Sequence, residues 1–185
     1  MRRTLFSLAL SIWAGAAFPS LAEADNQPPM NRAQSVINAF QVMCTLELPN
    51  FDRLDARAAA MKMTLQANKS GPSANDTITR SKIWTGGLKD GPFVLLIDEM
   101  TGAKGRSTAC AVVGEVPDVD AFRLEAIDTI KLQGDPVPEL GADGSRSFVW
   151  NGHFGPGTIV IMRDFAPAGK RGVMMKLLSK VDPPK

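Results

Sequence analysis

Apolar residues recur along this chain with two periods, and the switches between them mark its elements. From Asn31 onward, Val36, Ile37, Phe40, Met43 and Cys44 fall three or four apart, one stripe of a helix that Pro49 ends. Asn50 is a good N-cap, and Asp52 suits the positive end of a helix dipole. Phe51, Leu54, Ala58, Met61 and Leu65 keep the same spacing, predicting a second helix over 51–67. Asn68 to Asp76, rich in Gly, Pro, Ser and Asn, reads as loop. The period then becomes two. Strands are predicted at 79–88 and 92–100 across the turn Lys89-Asp90-Gly91, with a third near 107–116. Asp118 caps a third helix with Val119, Phe122, Ala126, Ile127 and Ile130 on one face, and Gly134 stops it. Residues 135–144 read as loop. Strands follow at 146–154, 158–165 and 171–180, the first two joined by Gly155-Pro156-Gly157.

One pattern occurs twice: Arg80-Ser81-Lys82-Ile83-Trp84-Thr85-Gly86 and Arg146-Ser147-Phe148-Val149-Trp150-Asn151-Gly152. The tryptophans stand 66 positions apart. Other pieces match as well: Pro49-Asn50-Phe51-Asp52 with Pro117-Asp118-Val119-Asp120, Leu65-Gln66 with Leu132-Gln133, and Asp98 with Asp164. The expectation is an α+β domain made of a duplicated α-β-β-β unit, with halves at about 49–116 and 117–181 and one extra helix in front. It predicts a mainly antiparallel sheet of about six strands with the helices on one face. Alternation puts Arg80, Lys82 and Trp84 on one face of their strand. A turn at 89–91 would set Trp84 opposite Leu96 and Asp98 opposite Lys82. By the same logic Trp150 would oppose Met162, with Asp164 beside Arg146.

The N-terminus carries an address. Met1-Arg2-Arg3, an apolar run from Leu5 to Phe18 and small residues at Ser20-Leu21-Ala22 or Ala22-Glu23-Ala24 have the layout of a secretory signal peptide. Cleavage is expected after residue 22 or 24, followed by a flexible lead-in to residue 30 and a single domain over 31–185. The run is too short for a membrane span, which needs about 20 apolar residues. The mature chain is therefore expected in the periplasm or outside the cell, without a stable membrane anchor. Both cysteines, Cys44 and Cys110, lie in the exported part, where pairing is favoured. Such a bridge would stabilise by about 4 kcal/mol through loop closure.

Charge removes one class of partner. The chain has 21 Lys+Arg against 19 Asp+Glu, and losing Arg2 and Arg3 brings the formal charge to zero. Lys170, Arg171, Lys176, Lys180 and Lys185 form no concentrated cationic surface on this reading, so no nucleic acid is expected.

Catalytic chemistry is thinly supported. There is one histidine, His153, and no tyrosine. Neither a nucleophile elbow nor a Ser-x-x-Lys pattern is present. No metal site or cofactor is expected. The repeated tryptophans first suggest packing that pins hairpin register. Their functional version lines a ligand cleft with Trp84, Trp150, Arg80, Arg146 and His153, the arginines facing an anion. The favoured role is non-catalytic: binding a small ligand, an envelope component or an exported protein. The competing class is a small periplasmic hydrolase using His153. A third is copper(I) handling through Met61, Met63, Met174, Met175 and His153, since thioethers suit that ion.

Overall fold

The computed structural model describes residues 32–72, 78–88, 91–103, 105–134, 136–140, 145–165 and 172–181. The expected signal peptide and lead-in lie outside the described residues, as do Asp90 and residues 141–144.

Helix α1 (Arg32–Phe40) runs into a π-helical turn, Gln41–Thr45, and is followed by α2 (Phe51–Ala60). A four-stranded meander comes next: β1 (Thr64–Pro72), β2 (Ile78–Leu88), β3 (Gly91–Gly102) and β4 (Gly105–Glu115). After α3 (Val119–Ile130) comes a second meander: β5 (Val137–Leu140), β6 (Arg146–Asn151), β7 (Thr158–Phe165) and β8 (Gly172–Val181). All eight strands join one antiparallel sheet in the order β1-β2-β3-β4-β8-β7-β6-β5. The two meanders meet where β4 pairs with β8, from Arg106 opposite Val181 to Glu115 opposite Gly172. The α+β class holds, with eight strands where about six were expected.

Both additional strands come from segments expected as something else. The predicted second helix stops at Ala60, seven residues early. Lys62 takes a left-handed φ of 56°, and the Met63 amide closes the helix by donating to Ala58 O at 3.1 Å. Leu65 leaves the helical stripe and pairs with Trp84 across β1 and β2. Met61, expected on the buried stripe, is exposed. Apolar spacing continued past the helix by coincidence, and the free edge of β2 drew the segment into the sheet. Similarly, β5 lies inside the expected 135–144 loop, against β6. Its four residues are all exposed, so nothing in its hydrophobicity marks it as a strand.

The helix caps are as expected. Asn50 accepts from the Arg53 amide, and Asp118 from the Asp120 and Ala121 amides. The α1 stripe is fully realised, with Val36, Ile37, Phe40, Met43 and Cys44 at 2% exposure or less. These residues join Phe122, Ala126, Trp84, Trp150 and the inner residues of the strands in one core on one face of the sheet. Helix α1 crosses β4 so closely that a Cβ on Gly114 would stand 2.6 Å from a Val36 methyl. Cys44 in the π-helical turn is bonded to Cys110 on β4, with Cα atoms 5.5 Å apart. The sulfurs thus fasten the first helical segment to the centre of the sheet.

Register differs from expectation in both hairpins. Leu88 pairs with Gly91, so the first connection has two residues instead of three. Trp84 then faces Leu95, and Leu96 pairs with Ile83. That one-residue change turns Phe93, Leu95, Ile97 and Glu99 toward the helices and Val94, Leu96 and Asp98 away. In the second hairpin β6 ends at Asn151 and the turn begins at Gly152, with φ of 73°. Trp150 therefore faces Val160, not Met162, which pairs with Phe148. This shift is two residues long, so the buried face is unchanged.

Candidate functional site

The repeated arginines are structural clamps. Arg80 on β2 donates to Glu99 Oε1 through Nε at 3.1 Å and Nη2 at 2.7 Å, and through Nη1 to Asp52 Oδ1 at 3.0 Å. Its guanidinium also lies 4.2 Å over the Phe51 ring. Arg146 on β6 repeats the arrangement: Nε donates to Asp164 Oδ2 at 2.7 Å and Nη2 to Asp120 Oδ1 at 3.3 Å. Asp52 and Asp120 both sit in the first turn of a helix. Each arginine therefore ties a helix N-terminus to the sheet. The hydrogen bonds that Arg80 donates to Glu99 and Arg146 to Asp164 raise the respective arginine pKa above its ordinary value, ahead of the weaker contributions of Asp52 and Asp120.

Lys82 does not meet Asp98, as expected from sequence; its Nζ donates to Asp55 Oδ2 on α2 at 2.6 Å. Asp98 faces the other side and accepts from Ser81 Oγ at 2.7 Å. Both consequences follow from the one-residue register change. Arg80→Ala would leave Glu99, a buried carboxylate, with the Thr108 hydroxyl at 3.5 Å and the more distant Arg106 at 4.0 Å. We expect a loss of about 2 kcal/mol in urea unfolding, because a buried charge without its partner is costly while Arg80 itself is partly exposed. An unchanged midpoint would show the clamp to be idle.

The five candidate cleft residues are not gathered into one cleft. Trp84 is 8% exposed and Trp150 3%, both within the core. They stand on β2 and β6, which are five strand spacings apart in the sheet order, about 24 Å at ordinary sheet geometry. Both indole N–H groups are buried without a partner among the described residues. The arginines already hold carboxylates of their own chain. His153 lies in the β6–β7 turn, half-exposed, its ring 4.5 Å edge-on to Phe154. Among the described residues no group of three or more His, Cys, Asp or Glu could hold a metal ion. The methionines are scattered likewise: Met175 is fully buried on the helix face, Met174 points the other way, and Met61 is exposed.

The feature the sequence reading passed over is the face of the sheet turned away from the helices. Ala67, Ile83, Leu96, Ala111, Lys176, Ile161, Val149 and Val137 lie side by side across all eight strands. Seven are apolar. The row beside it carries Val94, Val113 and Met174, and the row on the other side carries Ala109, Leu178 and Ile159. None of these side chains belongs to the core shared with the helices. Ile83, Val94, Leu96, Ile161, Met174 and Leu178 are all half-exposed. A one-sided antiparallel sheet normally alternates apolar inward and polar outward. Here β3, β4, β7 and β8 are apolar on both faces, the pattern of strands meant to be covered twice. Runs such as Phe93-Val94-Leu95-Leu96-Ile97 and Thr158-Ile159-Val160-Ile161-Met162 carried that signal in the sequence.

A shallow groove lined by Lys69, Ser70, Gly71, Pro72, Thr79 and Ser81 adjoins this face at the β1–β2 edge. No helix among the described residues is long and apolar enough to cross a membrane. Comparison with protein-family models, with curated proteins and with solved structures finds no match for this chain.

Proposed function

We propose that this chain is an exported, non-catalytic binding protein, periplasmic or secreted, whose open sheet face is its working surface. The observation that carries this reading is the apolar row from Ala67 to Val137 on a face that the helices leave uncovered. Contiguous apolar surface of that extent on a folded protein marks a site of interaction. The Cys44–Cys110 bond supports export, because disulfides persist in oxidising compartments.

The duplication belongs to the same proposal, and two features support it. Each meander is preceded by a capped helix, and the strand order in one half mirrors that in the other. Each half also contains an arginine joining a first-turn aspartate to a carboxylate on the next strand, Arg80 with Asp52 and Glu99, Arg146 with Asp120 and Asp164. The halves are then α-β-β-β-β units with a pseudo-twofold axis between β4 and β8, one strand longer than the sequence repeat suggested.

The test is titration of the mature, oxidised protein at low concentration with bis-ANS, a probe of open apolar surface. Saturable binding is expected, and Ile161→Asp should weaken it at least tenfold while the far-ultraviolet spectrum stays unchanged. His153→Ala should leave binding as it is. Absence of saturable binding, or indifference to Ile161→Asp, would remove the open face as a binding surface.

A further inference from the structure

We infer that the open face is covered by a second copy of this chain, docked sheet-on-sheet about a twofold axis. This rests on the binding reading above and names its partner. Size is the first reason. Seven strand spacings of about 4.8 Å and some six residues at about 3.4 Å make a face of roughly 700 Å². A stable protein interface buries about 800 Å² per partner, whereas a small ligand would leave most of the face wet.

Shape is the second. At its centre β4 carries Ala109 and Ala111 on this face, at 4% and 2% exposure, with the larger Val113 beyond them. Leu96 on β3 and Leu178 on β8 stand on either side of them. Small residues between two leucine ridges suit the interdigitation of two sheets packed about 10 Å apart.

Charge supplies the third reason and places the axis. Asp98 and Lys176 are opposite charges on this apolar face, both half-exposed. Neither has an ion-pair partner among the described residues, and Asp98 holds only the Ser81 hydroxyl. Asp98 pairs with Ala109 and Lys176 with Ala111, so they flank β4 diagonally, about 12 Å apart by sheet spacing. A twofold axis over the two alanines, lying in the plane of the interface, exchanges these positions. Asp98 of each copy then meets Lys176 of the other, twice, as an isologous interface requires. Among the described residues of one chain both charges stay without an opposite charge, and two copies satisfy both.

The test is sedimentation equilibrium of the mature, disulfide-intact protein from about 1 to about 100 μM, a span that brackets micromolar association. A dimer is expected. Leu96→Asp should weaken it at least 100-fold. Asp98→Lys and Lys176→Asp should each weaken it at least tenfold, and the double reversal should recover most of the loss. That recovery keeps the inference falsifiable even where Leu96→Asp disturbs folding. A wild-type monomer at the top concentration, or a dimer indifferent to both charge reversals, overturns it. A monomer that takes up bis-ANS through Ile161 would leave the binding reading standing and remove only the second copy. A monomer without that uptake removes both.

Discussion

Replacing Cys44 and Cys110 together by alanine is expected to cost about 4 kcal/mol of stability, because the bridge closes a loop of 66 residues whose freedom is otherwise lost on folding. For a domain of this size that is a fall in Tm on the order of 10 °C. Both sulfurs are fully buried, and the bond joins the π-helical turn to β4 in the middle of the sheet. The consequence is structural as well as energetic. Freed from Cys110, the first helical segment keeps its apolar packing on β4, β8 and α3, the hydrogen bond from Arg32 to the Glu115 carbonyl and those from Arg57 to the Val42 and Met43 carbonyls. Heat or urea unfolding of the oxidised wild type and the double variant measures the effect. Equal midpoints would mean that the long loop is already constrained in the unfolded chain. Because the bond is buried, mild reductant should leave the native protein oxidised and act only once denaturant opens the core.

Trp150→Ala is expected to cost about 4 kcal/mol, at the upper part of the range for removing a buried aromatic side chain. Trp150 is 3% exposed and sits in the row with Val160, Leu177 and Cys110. Trp150→Phe should cost only about 1 kcal/mol, since the phenyl ring keeps much of the volume and removes an indole N–H that has no partner among the described residues. The contrast separates packing from recognition. A residue that serves by filling space tolerates phenylalanine, whereas one that serves through its N–H does not. Comparable losses from both substitutions would point to a bound group at that N–H and reopen a ligand role for the tryptophan.

The divergence between the repeated motif and its role has a plain physical cause. Sequence showed that Arg80 and Trp84 share a face, because side chains alternate strictly along a strand. It could not show that they face the helix side of the sheet and not solvent, since that depends on what packs above them. The motif alone presents both arginines as available to an anion. In the fold, Asp52 and Glu99 reach Arg80 from positions 28 and 19 residues away, and no local pattern signals such a meeting. The open face was missed for a related reason. Val94-Leu95-Leu96 is apolar whichever way it is registered, so only the pairing of Leu88 with Gly91 decides that Leu96 turns outward.

Local chemistry was enough for several features. The capped starts of α2 and α3, the buried stripe of α1, the antiparallel strands and the pairing of the two cysteines all arise from spacing, cap residues and cysteine count, which act within a few residues or on the chain as a whole. What needed three dimensions was the count of strands, the register and the surface left uncovered. An edge strand such as β5 exposes all its side chains and joins the sheet through its pairing with β6, so its sequence carries little mark of the sheet. A single step in hairpin length reverses every side chain on β3, and with it which apolar residues the molecule hides and which it offers.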